Sequence, residues 1–298
     1  MTMTVTVLGA TGKTGGTVAE RLLAAGMRVK AVARSADKLA ALQKRGAQAF
    51  VADVADAAAL TEALRGSDAA YLMIPGDYTK PDLLGQYARA GEAIVRAVQD
   101  SGVRRAVFLS SLGAELPAGT GPIAGLHGVE ARLRGVSGLA LAILRAGYFY
   151  ENNYGTLGLI KTQGINGSAI DPEVKMTMIA AADVGGEAAE ALRKSDFSGV
   201  VVREVTGPRA LTLPEATALL GRAIGKPDLK YVRFPDEGFV QGLESVGFAP
   251  DAARLFLEMQ QAFNKGIVRP QPGTEKVTTT TPFESFADAF AQAYRAAP

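Results

Sequence analysis

The chain has 298 residues, of which 48% are hydrophobic, and a formal net charge of +2. It can bury a sizeable core as one large domain or as one domain with a smaller lobe. Its scattered charges argue against nucleic acid or an anionic membrane as partners, and the absence of cysteine excludes disulfides and thiolate catalysis. With a single histidine and no carboxylate pair at a ligand spacing, we also expect no metal site.

The beginning of the chain and its hydropathy indicate a cytoplasmic location. The first predicted strand begins at about residue 4, so we expect no signal peptide. No apolar run approaches the roughly 20 residues that a membrane span needs. The lack of cysteine fits a reducing compartment.

The first predicted elements are a strand, a tight turn and a helix. Residues 5–8 are apolar except for Thr6, three glycines follow at three-residue spacing, and Val18, Leu22 and Leu23 then lie on one helical face. Glycine lets the backbone approach a ligand, and the N–H groups of a helix's first turn favour an anion. The pattern predicts a site for the pyrophosphate of a dinucleotide. The residues predicted to bind it are Gly9, Thr11, Gly12, Lys13, Thr14 and Gly15.

The second strand indicates which dinucleotide binds. Gly26 ends the first helix, and the strand over 29–33 leads to Arg34, about 20 residues beyond the last glycine of the turn. A site that prefers NAD has Asp or Glu there to accept from the ribose 2′-hydroxyl, whereas a guanidinium can hold a 2′-phosphate. We therefore predict NADPH/NADP+ as the cofactor, with Ser35, Lys38 or Lys13 assisting Arg34.

The alternation of strands and helices continues to about residue 145. Helices are predicted to begin at Ser35 and Asp56, and to run over 81–100 and 126–133, between strands at 49–52, 69–74, 106–109 and 139–144. Continuous apolar strands that alternate with amphipathic helices are typical of a parallel sheet covered on both faces. The predicted fold class is therefore α/β, a doubly wound parallel sheet with right-handed crossovers.

In such a sheet the ligand lies beyond the carboxyl ends of the strands. The residues that directly follow the predicted strands are thus candidates for cofactor binding. Asp53 is expected either to contact the adenine amino group or to serve as a turn aspartate. The candidates of this kind are Asp53, Val54, Ile74, Pro75, Ser110 and Tyr148.

Beyond Arg145 the alternation is lost. Residues 147–154 combine glycine, aromatic and amide side chains, and glycine-broken sequence follows to Ser168, which indicates a loop over a site. Further predicted elements are strands at 199–205 and 230–234, a helix at 251–263, and helices opened by capping boxes at 212–215 and 281–284. We divide the chain into a nucleotide-binding domain, 1–150, and a smaller C-terminal α/β substrate lobe, 151–298, whose strands can return to the first sheet.

Eight motifs are spread along nearly the whole chain. They are Gly9–Gly15, Arg34, Ser110–Ser111, His127–Glu130, Leu144–Asn152, Ala182–Gly185, Val205–Pro208 and Thr212–Glu215. Together they resemble the NmrA-like atypical short-chain dehydrogenases/reductases. The resemblance implies an extended Rossmann domain, NADPH binding and a cleft closed by the second lobe. Members include NADPH-dependent quinone reductases, triphenylmethane and phenylpropanoid reductases, and regulators that sense cofactor redox state.

The chain departs from typical short-chain dehydrogenases at their Tyr-x-x-x-Lys pair, in which the lysine lowers the pKa of the tyrosine. Aligned on Glu130, these places hold Ile123 and His127. His127 is therefore the candidate proton donor, since a free imidazole has a pKa of about 6.5. His127 is also a candidate ligand of the nicotinamide ribose. The alternative is a histidine that only packs.

Without a dedicated acid, the most accessible chemistry is hydride transfer to a quinone-like or other small conjugated acceptor. Tyr148, Phe149, Tyr150 and Asn152 are predicted to form the acceptor wall, with Tyr150 beside His127 as the catalytic candidates; ordinary interlobe core is the alternative. A redox sensor that binds NADP(H) without turnover, and a ketone or imine reductase that uses His127 as acid, are the competing functions. The expected partner is a small-molecule acceptor, and a homodimer is left open.

Overall fold

The computed structural model describes residues 2–297 of the chain. Its main feature is a twisted sheet of eight strands, accompanied by two smaller sheets. The strands within residues 2–297 are β1 (Thr4–Leu8), β2 (Arg28–Ala33), β3 (Gln48–Val51), β4 (Ala69–Leu72), β5 (Arg105–Ser111), β6 (Ala140–Ala146), β7 (Tyr148–Phe149), β8 (Ile165–Ser168), β9 (Met176–Ile179), β10 (Val200–Thr206), β11 (Ala210–Leu211), β12 (Lys230–Arg233) and β13 (Glu275–Thr278).

Helices connect most of these strands. Their positions agree with the helical patterns in the first half of the sequence. Ser35 and Asp56, where helices are predicted to begin, are N-caps whose side chains accept from Lys38 N and Ala59 N. None of the helices within residues 2–297 has the length and apolarity needed to cross a bilayer. The helices are α1 (Lys13–Ala24), α2 (Ala36–Lys44), α3 (Ala57–Leu64), α4 (Leu83–Ser101), α5 (Pro122–Arg134), α6 (Leu157–Gln163), α7 (Ala181–Lys194), α8 (Leu213–Ala223), α9 (Asp236–Ser245), α10 (Pro250–Asn264) and α11 (Phe283–Ala296), with a 3-10 helix at Tyr150–Thr156.

The main sheet is doubly wound, as predicted. Its strand order is β13-β10-β6-β5-β4-β1-β2-β3, and every neighbouring pair is parallel. The order reverses between β1 and β4, which leaves a crevice at their carboxyl ends. The predicted ligand-binding edge of the sheet is therefore present.

Separate hydrophobic cores cover the two faces of the sheet. On one face, Val18 of α1 and Val184 of α7 are buried against the strands. On the other, Leu60 of α3, Ile94 of α4 and Leu133 of α5 are buried. A parallel sheet needs cover on both faces, and this is why its strands read as continuous apolar runs.

Two strands from the second half of the chain return to the main sheet. β10 pairs with β6 through Val200 and Leu141, and β13 extends the same edge. α7 also packs closely on α1, since a Cβ added at Gly185 would lie 2.7 Å from the Thr14 carbonyl oxygen. Most elements of the predicted smaller lobe pack around an aromatic core, which also includes Leu112 and Ile123 of the first half. The division at residue 150 stays a prediction.

Residues 147–168 are not the irregular loop that the sequence predicts. They form β7, the 3-10 helix, α6 and β8. Asn153 Nδ2 donates to the Tyr150 carbonyl at 2.8 Å and Thr156 Oγ1 donates to the Asn153 carbonyl at 2.9 Å. These side-chain bonds stabilise turns too short to give a helical sequence period.

Of the two predicted capping boxes, only the first is present. Thr212 accepts from the Glu215 amide at 3.2 Å, and Glu215 accepts from the Thr212 amide at 2.7 Å. The second prediction is wrong, because α11 begins after Pro282 and the Thr281 hydroxyl donates to Asp183 at 2.8 Å. A tertiary hydrogen bond thus replaces the local one.

Candidate active site

The turn between β1 and α1 depends on its glycines. Gly9 has φ +63°, and a Cβ there would lie 2.6 Å from Met73 Sδ. A Cβ at Gly15 would lie 2.4 Å from the Gly9 carbonyl oxygen, so this residue lets helix and strand approach closely. Gly12 is the N-cap of α1 and is exposed. The open first turn presents backbone N–H groups at the crevice, as an anion site requires.

A cavity of about 340 Å³ lies in front of this turn. We call it the glycine-loop cavity. Its walls come from the glycine turn, the ends of β2 and β3, the segment after β4, and α4. The lining residues are Gly9, Thr11, Gly12, Val32, Ala33, Arg34, Ala52, Asp53, Val54, Ala55, Met73, Pro75, Asp77, Lys80, Gln86, Arg89 and Ala90.

Arg34 is the unpaired cation of this cavity. The two other basic side chains that line it are paired, Lys80 with Asp77 at 3.2 Å and Arg89 with Asp82 at 2.8 Å. The exposed Arg34 side chain has no ion pair within residues 2–297. A guanidinium left free at the end of β2 is suited to a phosphate ester.

Asp53 lies in the same wall as Arg34 and caps its own turn. Its Oδ1 accepts from the Ala55 amide at 2.9 Å, and the residue lines the cavity. The carboxylate has a second oxygen and further lone pairs. Its part in the turn is therefore compatible with the predicted contact to an adenine amino group, which stays a prediction.

Several predicted cofactor ligands lie outside the glycine-loop cavity. Lys13 places its Nζ 4.4 Å from the centre of the Tyr154 ring, and partial burial lowers the pKa of this lysine. Thr14 and Gly15 are buried beneath the turn, Ser35 is used as the N-cap of α2, and the exposed Lys38 does not line the cavity. Among the predicted basic ligands, only Arg34 faces this space.

The segment 75–82 contributes Pro75, which the sequence predicts, and also Asp77 and Lys80, which it does not, to the glycine-loop cavity. Gln86 of α4 holds this segment in place, because Gln86 Nε2 donates to the carbonyls of Asp77 at 3.2 Å and of Lys80 and Pro81 at 3.1 Å. The position of this segment directly after β4 is the sequence signal for it, and the predicted ligands there end at Pro75.

A second cavity, of about 410 Å³, lies beside the first at the ends of β4, β5 and β6. We call it the aromatic cavity. Met73 and Pro75 line both cavities, so the two are neighbours along one cleft. The lining residues are Met73, Ile74, Pro75, Gly76, Tyr78, Tyr87, Leu109, Ser110, Ser111, Leu112, Ile123, Leu126, Ala146, Gly147, Tyr148, Phe149, Asn152, Thr177, Met259, Phe263 and Val268.

Tyr148, Phe149 and Asn152 of the predicted acceptor wall lie in the aromatic cavity. The Tyr148 ring meets Phe263 of α10 edge to face, with centroids 6.0 Å apart. Burial raises the pKa of Tyr148 to about 12, so its hydroxyl is neutral at physiological pH. Met259, Phe263 and Val268 were missed, since they follow α5 by more than a hundred residues of other elements and no local pattern marks them.

Tyr150 is not brought to the cavity. It is 1% exposed, packs on Phe283 and Phe286, and donates its hydroxyl to the Thr281 carbonyl at 3.1 Å. Because the tyrosine follows Tyr148 and Phe149 of β7 in the 3-10 helix, its ring enters the core of the smaller lobe. The structure favours the core alternative for Tyr150.

His127 also lies outside both sets of lining residues. Its Nδ1 is 2.9 Å from the Ala114 carbonyl oxygen, which holds the half-buried imidazole against the turn after β5. Ile123, at the other place of the missing Tyr-x-x-x-Lys pair, lines the aromatic cavity instead. An apolar side chain thus stands where a phenol would be expected.

The two serines at the end of β5 donate their hydroxyl protons within the protein. Ser110 Oγ donates to Glu130 Oε1 at 2.6 Å, and Ser111 Oγ donates to the Leu112 carbonyl at 3.0 Å. Glu130 is 3% exposed and holds Arg145 through two hydrogen bonds, Nε at 3.0 Å and Nη2 at 2.7 Å. Ser110, which lines the aromatic cavity, is therefore bonded to a buried ion pair. The hydroxyl oxygens of Ser110 and Ser111 remain as hydrogen-bond acceptors.

The parallel sheet, the glycine turn and the adjoining cleft define a dinucleotide-binding protein of the Rossmann class. The sequence profile of the NmrA-like family matches residues 1–271, and the chain belongs to this family.

Known proteins agree with this assignment. The chain is 28% identical over 293 residues to an NAD(P)H azoreductase of Xenophilus azovorans, covering 98% of each chain. It is 28% identical over 266 residues to quinone oxidoreductase 2 of Escherichia coli, covering 88% of each. An NADPH-dependent quinone oxidoreductase of Escherichia coli, solved with NADPH, has a similar fold, with a TM-score of 0.78 and 24% identity over 96% of this chain and 99% of the other.

Proposed function

We propose that this protein transfers hydride from NADPH to a small quinone-like acceptor. The broader assignment, an NAD(P)H-dependent oxidoreductase, agrees with its relatives, which include an azoreductase and a quinone oxidoreductase. The observation that carries the proposal is the pair of adjoining cavities, one with a free guanidinium and the other with aromatic walls, which share Met73 and Pro75.

The residues of the glycine-loop cavity fit the phosphorylated half of the nucleotide. Thr11 and the first turn of α1 would hold the pyrophosphate through backbone N–H groups, because Gly9 and Gly12 leave room for its approach. The Gly12 N–H itself donates to the Gly9 carbonyl at 2.8 Å and holds the turn in shape. Arg34 would hold the 2′-phosphate, since its guanidinium has no carboxylate partner in the part of the chain described. NADPH, when bound, supplies a hydride at its nicotinamide ring.

The aromatic cavity determines which acceptors suit this protein. Burial raises the pKa of Tyr148 to about 12, which makes its hydroxyl a weaker proton donor than an ordinary tyrosine. Ser110 and Ser111 already donate within the protein, and His127 lines neither cavity. None of these groups is a strong acid directed at a substrate oxygen. A quinone accepts hydride without such an acid, since its reduced oxygen is stabilised as a phenolate that water can protonate. Tyr148, Phe149 and Phe263 would stack against its flat ring.

The reaction is tested by mixing the purified protein with NADPH and a panel of neutral quinones while NADPH absorbance is recorded. We expect turnover with quinones and little with unactivated ketones or imines, whose reduction needs an acid. If NADPH and NADP+ bind with different affinities and no acceptor is reduced, the protein is a redox sensor and the proposal fails.

A further inference from the structure

The aromatic cavity contains no ionisable side chain other than tyrosine. Among the described residues 2–297, its lining includes no Asp, Glu, Lys, Arg or His. The glycine-loop cavity, by contrast, is lined by Arg34, Lys80 and Arg89. Cations are thus present where the nucleotide phosphates are expected and absent where the acceptor is expected.

The charged group bonded to Ser110, a residue that lines the aromatic cavity, is already paired. Arg145 is 7% exposed, and its guanidinium binds Glu130 and, at 3.2 Å, Glu115. The Ser110 hydroxyl also donates to Glu130 rather than toward the cavity. An anionic substituent on an acceptor would find no cation here and no serine proton to bind.

The aromatic walls add to this exclusion. Aromatic side chains carry no net charge, so they offer an anion no full positive charge in place of its water. An anion moved into this site would exchange its hydration at most for neutral donors, such as the Asn152 amide. An uncharged flat ring loses little hydration and gains contact with Tyr148, Phe149 and Phe263.

We propose that the aromatic cavity selects uncharged acceptors and rejects acceptors that carry a sulfonate, phosphate or carboxylate group on the ring. This inference rests on the proposed function and specifies its substrate class. It adds that selectivity comes from the absence of a cation in the cavity rather than from its size.

The test compares three acceptors of nearly equal shape with the wild-type protein and saturating NADPH. They are a para-naphthoquinone, the same quinone with a sulfonamide on its benzo ring, and the corresponding sulfonate. We expect kcat/KM for the sulfonate to be at least about 100-fold below that for the sulfonamide, because the two substituents are similar in size and differ chiefly in charge. Comparable values for these two acceptors would overturn the inference while leaving quinone reduction intact.

The same comparison can be made by binding. If no quinone is reduced, the proposed function fails, and the affinities of the sulfonamide and sulfonate for the protein with NADP+ are measured by calorimetry instead. A strong preference for the sulfonamide supports a charge-excluding cavity, and equal affinities overturn it. The two failures are therefore distinguishable.

A designed cation gives a second, independent test. Met259 of α10 lines the cavity and is half-buried, so a lysine there could place its ammonium at the cavity wall. We expect Met259→Lys to raise kcat/KM for the sulfonate at least about tenfold relative to the sulfonamide, and Met259→Leu to retain the wild-type preference. The same preference in both variants would contradict an electrostatic origin.

The exposed Arg269 follows Val268 at the edge of the cavity and provides the matched control. Its removal in Arg269→Ala is expected to leave the ratio between sulfonamide and sulfonate unchanged. If the wild type instead reduces the sulfonate well and Arg269→Ala does not, a cation at the rim recruits anions and the inference is wrong.

Discussion

The two cavities draw their walls from very different lengths of chain. The glycine-loop cavity is built from residues between Gly9 and Ala90, that is, from consecutive strand and helix units. The aromatic cavity uses residues from Met73 to Val268, including α10 of the second half. The nucleotide half of the cleft is therefore formed by consecutive units of the doubly wound sheet, whereas the acceptor half depends on how the C-terminal part packs onto that sheet.

This difference is tested most strongly at Gly15. A Cβ there would lie 2.4 Å from the Gly9 carbonyl oxygen and 2.9 Å from that of Leu8, and neither backbone atom can move aside cheaply. We expect Gly15→Ala to weaken NADPH binding at least about 100-fold and to lower the free energy of unfolding by roughly 1–3 kcal/mol. Fluorescence titration and thermal unfolding measure the two effects.

The neighbouring Gly16 is the control. A Cβ there would lie 3.5 Å from the Ala10 carbonyl oxygen, an ordinary contact, and the residue is inside α1. Gly16→Ala should keep NADPH affinity and stabilise the helix by up to about 1 kcal/mol. Equal losses in both variants would show that the turn does not depend on the close approach at Gly15.

The next largest effect is expected at Arg34. A charge-assisted bond contributes about 1.5–3 kcal/mol, so Arg34→Ala should weaken NADPH binding roughly 10- to 100-fold. NADH lacks the 2′-phosphate, and its affinity should change little. Lys38→Ala removes a cation that does not line the cavity and should leave both affinities unchanged. Parallel losses for NADPH and NADH in Arg34→Ala would contradict recognition of the phosphate.

A smaller effect, on the acceptor cavity alone, is expected at Phe263. Phe263→Ala removes the edge-to-face partner of Tyr148 and should raise KM for neutral quinones about tenfold, with the Kd for NADPH unchanged. Phe290→Leu, in the core of the smaller lobe, should lower the Tm without this change in KM. A matching rise in the NADPH Kd of Phe263→Ala would show that the two cavities are not independent.

The smallest effect is expected at His127. Its Nδ1 is held by the Ala114 carbonyl and the residue lines neither cavity, so His127→Ala should keep quinone kcat/KM within about twofold of the wild type. The pH profile of the variant should follow that of the wild type. Loss of activity together with an altered profile would instead assign the proton to His127 and favour a ketone or imine reductase.

The sequence predicted the fold well because the relevant signals are local. Apolar runs mark each buried parallel strand, and Ser35 and Asp56 cap the helices that follow two of them, as predicted. Patterns in the second half were less informative, since the structure of residues 147–168 depends on side-chain bonds such as that from Asn153 to the Tyr150 carbonyl. The capping box at Thr281 failed for a similar reason, a tertiary bond to Asp183.

The residues of the candidate site also fall into those fixed by local sequence and those fixed by tertiary packing. The glycine turn and the position of Arg34 follow from the sequence alone, because backbone sterics and the end of a strand are properties of consecutive residues. Only the tertiary structure decided that Phe263 meets Tyr148, that Tyr150 enters the core and that His127 bonds to Ala114. Those outcomes depend on how distant helices pack across the ends of β5 and β6, and no local pattern of side chains encodes that packing.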